Sequence, residues 1–248
     1  MMILIGDIGN TETKICLVNS NNKIIKRINF ITKKMNRNIL QKKLKDINFK
    51  NINSKCLFSS VVPKSYDLIK SFFASKFNLK CYELKNLPLK KLLLIKANYK
   101  QIGSDRLANS IGAMNYKDNF IILDFGTATT FDVIVKNFYH GGIIAPGLEI
   151  SLNTLIDRAT MIPKISLKKT KKIIGLNTVN AVRSGFFWGY NGLIKNIIEL
   201  IKIETKKSFK IIITGGFSSL FKNSIDEKII VNKDITIKGL IKAYKFIK

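Results

Sequence analysis

The sequence predicts an α/β fold made of two similar lobes, and two observations carry that prediction. The first is a doubled motif. "DIGNTETKICLV" at residues 7–18 returns as "DFGTATTFDVIV" at 124–135, with Asp, Gly, Thr and Val shared at the first, third, seventh and twelfth positions. The offset of 117 residues is close to half of the 248-residue chain. The second is the mixture of short β-rich runs with helical stretches, with no Pro/Gly/Ser-rich linker between the halves. Two tightly joined lobes are therefore expected, residues 1–117 and 118–248, with the boundary placed by the repeat alone.

The elements follow in order. Short apolar runs at 2–7 and 13–19 flank a Gly-Asn-Thr turn, and "NKIIKRINF" gives a third strand after the turn-rich "NSNN". Helices are expected over 36–48 and 64–77, with "CLFSSV" at 56–61 a buried strand between them. The second half repeats the plan, with strands at 119–124 and 129–135 and a third near "HGGIIA" at 140–145. Further helices are expected over 104–115, 147–158, 177–202 and 236–247, with the strand "FKIIITGG" at 209–216 between the last two. His140, the only histidine, reads as a turn residue before Gly141 rather than a ligand or base.

Composition bounds the function classes. An apolar fraction of 46% with 10% aromatics describes a chain that folds around a core. No run approaches the roughly 18 apolar residues of a membrane helix. The N-terminus "MMILIGDIGN" lacks a basic n-region and a small-residue cleavage site. Cys16, Cys56 and Cys81 are odd in number and form no CxxC pair, so a reducing compartment, the cytoplasm, is expected. Forty-three Lys and Arg against sixteen Asp and Glu give a net charge of +27. The lysines run from end to end alongside many Ile and Asn, the residues of A- and T-rich codons. The densest clusters, 32–45 and 167–172, lack interleaved aromatics for stacking on bases. A solvated basic surface is the reading, and neither nucleic acid nor membrane is expected as a partner.

The doubled motif carries the chemistry. An Asp-x-Gly turn between two strands gathers backbone N–H groups around an anion, Thr or Asn adds donors, and Asp can hold a Mg²⁺ that bridges phosphates. Two such loops facing each other across a cleft would grip a polyphosphate from both sides. Paired loops of this kind resemble the phosphate motifs of the actin, hexokinase and Hsp70-like ATPase superfamily, a ribonuclease H-like fold with ATP in the interlobe cleft. Within it, "DIGNTETK", "GSDR" at 103–106, "DFGTATT", "GGIIAPG" at 141–147, "GLNTVNAVRSGFFWG" at 175–189 and "TGG" at 214–216 are similar, in order, to the type III pantothenate kinases. That resemblance implies ATP-dependent phosphorylation of pantothenate, the first step toward coenzyme A, in a homodimer.

The resemblance also implies roles. Asp7, Ile8, Gly9, Asn10, Thr11, Glu12, Thr13 and Lys14 match the first ATP-binding segment, with Asp7 on Mg²⁺ and Lys14 offering a point charge to β- or γ-phosphate. Asp105 matches the proton acceptor, and Gly103, Ser104 and Arg106 complete its substrate motif, Arg106 able to clamp an anion bidentately. Without the family frame, Asp105 and Arg106 at a helix start would read as a cap with an ion pair. Asp124 resembles the ligand of a monovalent cation, K⁺ or NH₄⁺, and Thr127 an ATP contact. Thr178 matches a pantothenate-contacting threonine, the alternative being a plain helix N-cap. One departure stands out. The family's Tyr and Pro upstream of GxDR are replaced in "LIKANYKQIGSDR", where Lys96 falls near the expected Tyr and Tyr99 near the expected Pro. Either Tyr99 takes over the substrate contact from a shifted loop or the contact is lost. Ser104 for the commoner Ala adds one hydroxyl. A different class of function, a non-catalytic nucleotide-binding regulator on the same fold, would be expected to have lost one of Asp7, Asp105 and Asp124.

Overall fold

The computed structural model describes residues 1–225 and 228–247. By packing, the chain divides into two units: Met1–Met114 with Asn137–Tyr139 and Asp234–Lys248, and Asn115–Lys136 with His140–Lys233.

The first unit contains strands β1 (Met2–Ile8), β2 (Glu12–Val18) and β3 (Ile24–Ile31), helix α1 (Arg37–Leu44), strand β4 (Ile52–Ser60), helix α2 (Pro63–Phe77), strands β5 (Lys80–Glu83) and β6 (Leu94–Ile95), and helix α3 (Ser104–Ala113). Its sheet runs β3-β2-β1-β4-β5. The β1-β2-β3 meander is antiparallel, and β4 and β5 add in parallel to β1. Parallel neighbours need a crossover, and here α2 supplies it between β4 and β5. Pro63 fixes the first turn of α2, and Asn78 ends the helix in the left-handed region at φ 52°. The core gathers Leu4, Ile8, Ile15, Phe58, Phe72 and Phe73.

The second unit repeats the scheme with β7 (Asn119–Phe125), β8 (Ala128–Val135), β9 (Phe138–Pro146), α4 (Leu148–Arg158), α5 (Thr178–Thr205), β10 (Lys210–Gly215), α6 (Ser218–Phe221) and β11 (Ile229–Val231). Its strands are ordered β11-β10-β7-β8-β9, the same succession as in the first sheet. The first residues of β9, Phe138 and Tyr139, fall in the first unit, where they pair with Leu94 and Ile95 of β6. The sequence repeat is thus a topological repeat, and Asp7 and Asp124 occupy the same place in it. Phe125 stacks on Phe221 and Phe221 on Phe187, which anchors α5 and α6 to the sheet.

One segment departs from the expected halves. The last helix, α7 (Ile235–Tyr244), packs on α3 in the first unit rather than with the residues that precede it. Ile235, Ile237, Leu240, Ile241 and Ala243 are buried along it, as an apolar helix face requires. Two glycines set the contact. A Cβ on Gly239 would lie 1.8 Å from the carbonyl oxygen of Ala108, and one on Gly112 would lie 2.2 Å from that of Ile235. The ammonium of Lys242 donates to the carbonyls of Ile111, Gly112 and Met114, closing the C-terminus of α3. The division at 117/118 treated the second half as continuous, and the affinity of α7 for α3 takes residues 234–248 out of it.

The expected helices and main strands appear within a few residues of their predicted limits. The short strands β5, β6 and β11 and the one-turn helix α6 have no counterpart among the expectations. His140 lies inside β9, not in a turn, and the irregular backbone follows it at Gly141, φ 134°.

Candidate functional site

In the first unit the hairpin register decides which residues of "DIGNTETK" face outward. Asp7 pairs directly with Lys14, and Ile8 with Thr13. Directly opposed side chains share a face of the sheet and successive ones alternate. Asp7, Glu12 and Lys14 therefore share one face, while Ile8 and Thr13 turn inward and are completely buried. Lys14 lies 3.4 Å from Glu12, a half-exposed pair that contributes little to stability. Asn10 and Thr11 form the exposed tip, closed by Gly9 N–H donating to the Glu12 carbonyl at 3.0 Å.

Thr13 is thus set apart from the phosphate-facing role expected of it. Its hydroxyl bonds that of Thr32 at 2.9 Å, and Thr32 donates to the Gly9 carbonyl at 2.7 Å. The Thr32 N–H also holds the Thr11 carbonyl at 3.0 Å. Thr13 and Thr32 together fix the loop from beneath. Thr32 gave no sequence signal, since it opens the lysine-rich stretch 32–45 and only the β2-β3 pairing brings it under the loop. Asp7 itself accepts from the Ser59 hydroxyl at 2.5 Å, at the end of β4.

The "GSDR" motif starts α3 in the same unit. Gly103 is the N-cap and offers no side-chain acceptor. Asp105 Oδ1 accepts from the Arg106 N–H at 2.8 Å. A Cβ on residue 103 would fall 2.4 Å from that oxygen, so glycine makes room for the carboxylate. Burial raises the pKa of Asp105, opposed by the Arg106 N–H and by the Arg106 charge. Ser104 and Tyr99, both expected at the substrate, are engaged elsewhere. Ser104 is 1% exposed and its hydroxyl donates to Glu83 Oε1 at 2.5 Å. The Tyr99 hydroxyl donates to the Lys85 carbonyl at 2.7 Å, and the Lys85 ammonium stands over its ring. Both side chains brace the segment leading into α3. Glu83 was missed by sequence reasoning because its partner is 21 residues away and belongs to no recognisable pattern.

The second unit assembles the remaining motifs. Asp124 pairs with Thr130 of β8 and Thr214 of β10. The turn 126–127 is closed by Gly126 N–H donating to the Ala128 carbonyl at 3.1 Å, with Thr127 exposed. A Cβ on Gly147 would lie 2.0 Å from the Thr127 carbonyl, so the end of "GGIIAPG" packs directly on the "DFGT" loop. Gly216 of "TGG" donates to the Phe125 carbonyl at 3.1 Å. Three motifs far apart in sequence thus meet around Asp124. Thr178 is the first residue of α5 and exposed, while Asn177 is the actual N-cap, accepting from Asn180 N–H at 2.9 Å. The plain N-cap explanation of Thr178 falls away. Thr178 lines an open recess of about 520 Å³ with Thr160, Met161, Ile162, Pro163, Asn177 and Val179. Among the described residues no cluster of three or more His, Cys, Asp or Glu exists.

A family model for type III pantothenate kinase matches residues 3–200. The chain is 67% identical over 248 residues to a type III pantothenate kinase of Pelagibacter ubique, covering all of both proteins. The chain belongs to the type III pantothenate kinase family. Solved structures agree on the fold of the family member. A Campylobacter jejuni protein described as a Baf family transcriptional activator aligns at TM-score 0.60 and 21% identity, over 98% of this chain and 97% of that one. The activator of the 2-hydroxyisocaproyl-CoA dehydratase from Clostridium difficile, with ADPNP bound, aligns at TM-score 0.55 and 12% identity, over 99% and 94%. This pantothenate kinase chain therefore shares the α/β fold of those two structures. No helix among the described residues is long and apolar enough to cross a membrane.

Proposed function

We propose that the chain transfers the γ-phosphoryl group of ATP to pantothenate, giving 4'-phosphopantothenate in the cytoplasm. The observation that supports this best is the recurrence of one carboxylate-led loop at the same topological position in both units, with the GSDR carboxylate at a helix start. In this reading Asn10 and Thr11 offer the loop tip to phosphate, and Lys14, on the same face as Asp7, adds a positive charge. Asp7 would hold Mg²⁺ with the nucleotide. A single carboxylate braced by Ser59 suits an ion that prefers phosphate oxygens and waters for its other ligands. When bound, Mg²⁺ offsets the charge of the phosphates. Asp105 orients the attacking hydroxyl and accepts its proton. Oδ1 already accepts from Arg106 N–H, so Oδ2 is the oxygen assigned to the proton. Arg106 neutralises the transferred group or the substrate carboxylate.

Thr178 and its recess are the assigned pantothenate contact, the volume being suited to a small molecule. Met161 of the recess and Leu176, next in sequence to its lining residue Asn177, are 88% and 86% exposed and form an apolar rim there. Such a rim supports homodimer formation next to that site. The decisive assay measures ADP release with and without pantothenate, Mg²⁺ and K⁺ being supplied. Pantothenate-dependent ADP is expected; ATP hydrolysis indifferent to pantothenate would reject the kinase reading.

Asp124 is assigned a monovalent cation, K⁺ or NH₄⁺, and Thr127 a nucleotide contact. Asp124 is partly exposed near the end of β7, and a carboxylate oxygen suits such an ion. Asp124→Asn is expected to raise the K⁺ concentration needed for half-maximal activity while the thermal transition stays in place. An unchanged K⁺ titration would put the cation elsewhere.

A further inference from the structure

We propose that Glu83 is a positioning residue for Asp105, acting through Ser104; the inference rests on the base role of Asp105 proposed above. Glu83 closes β5 with its carboxylate under the start of α3. Its Oε1 accepts from the Ser104 hydroxyl at 2.5 Å and its Oε2 from the Lys85 N–H at 2.7 Å, and the backbone of Ser60 is a further donor. Lys85 extends the hold, its ammonium donating to the carbonyls of Lys100 at 3.0 Å and Ile102 at 2.9 Å. The Tyr99 hydroxyl reaches back to the Lys85 carbonyl. One short turn after β5 therefore grips residues 99–104 at four points, immediately before the residue assigned as the base. The same strand end serves the phosphate loop, because Ser59 donates to Asp7 while its neighbour Ser60 holds Glu83. Two carboxylates with different tasks are thus referenced to the last two residues of β4.

Gly103 caps α3 without a side-chain acceptor, so the first turn has little of its own to fix it. The Ser104 hydroxyl ties this turn to the end of β5 through Glu83. A site held within about 0.5 Å needs such support, and a shift near 1 Å can cost up to about 10²-fold in rate.

The test compares Glu83→Ala, Glu83→Gln, Ser104→Ala and the Glu83→Ala/Ser104→Ala pair with Asp105→Asn in the full-length protein, reading kcat and both KM values. Glu83→Ala and Ser104→Ala are each expected to lower kcat about 10-fold. KM for ATP should stay within about twofold, because the nucleotide contacts are untouched. The double variant should fall no lower than either single one, since both remove one link. Glutamine can accept from Lys85 N–H through its oxygen and donate to the Ser104 hydroxyl through its nitrogen. Glu83→Gln should therefore restore kcat to within about threefold of wild type. Alanine variants that melt earlier yet keep wild-type kcat would overturn the positioning role, as would a loss that glutamine does not rescue. Should Glu83→Ala fail to fold, Ser104→Ala and Glu83→Gln decide by the same limits. A silent Asp105→Asn would take the base reading down with this inference, whereas an inactive Asp105→Asn beside a fully active Ser104→Ala would sink this inference alone.

Discussion

Asp105→Asn is expected to lower kcat by about 10²–10³-fold, the lower half of what a positioned general base contributes. At 1.36 kcal/mol per decade that is roughly 3–4 kcal/mol of barrier. The lower half is chosen because phosphoryl transfer is largely dissociative, so the attacking hydroxyl carries limited charge in the transition state. Asparagine keeps the size of the side chain and its acceptor for the Arg106 N–H, so a residue serving only the helix terminus would survive the change. ATP affinity should hold, because its contacts are assigned to the loops at Asp7 and Asp124. The pH profile gives an independent check. Burial raises the Asp105 pKa, and the base form is the deprotonated one. Wild-type kcat should therefore fall as pH drops through that raised value, and the limb should vanish in the variant. Turnover within about threefold of wild type, with ATP binding unaltered, would remove the base role.

What the sequence made legible was what is local. An Asp-x-Gly turn between two alternating runs is specified by residues within a dozen positions, and its recurrence at an offset of 117 exposed the two-fold plan. The five-strand order that the two sheets have in common is the structural counterpart of that repeat. The outward direction of Asp7 and Lys14 and the inward one of Thr13 were contained in the period-2 alternation. The shared motif made Thr13 look like a donor all the same. The illegible parts depend on contacts between distant segments. Nothing near Thr32 announces that it supports the Gly9 turn, and nothing near Glu83 announces Ser104. The strands β5 and β11 are four and three residues long, below the length at which periodicity speaks. Tyr99 was placed at the substrate by analogy with an aromatic position, whereas its hydroxyl found a backbone carbonyl in the turn before it.

The return of α7 to the first unit is the largest of these hidden contacts, and it supports the second expected result. Gly239→Val should destabilise the protein by about 3 kcal/mol or more, lowering Tm by roughly 6–12 °C at 2–4 °C per kcal/mol. Helix propensity argues the other way. Glycine inside a helix costs up to about 1 kcal/mol relative to alanine, so on an exposed face Gly239→Ala would stabilise. The geometry decides between them. The first carbon added to Gly239 meets the Ala108 carbonyl oxygen at 1.8 Å, its carbon at 2.7 Å and the Gly112 nitrogen at 3.0 Å. All three are backbone atoms of α3 and cannot rotate away, so the helices must separate. Separation would loosen the three carbonyl bonds from Lys242 and the Thr236 hydroxyl bond to Asn109 at 2.7 Å. Alanine should therefore destabilise and valine should do so more, since it carries two further methyl groups into the same gap. Because α3 bears Asp105 in its first turn, kcat measured below the transition should fall with Tm. Thermal unfolding of the two variants gives the answer by sign. A Gly239→Ala protein that melts at or above the wild-type temperature would mean that propensity outweighs contact and that α7 is not packed against α3 at glycine distance.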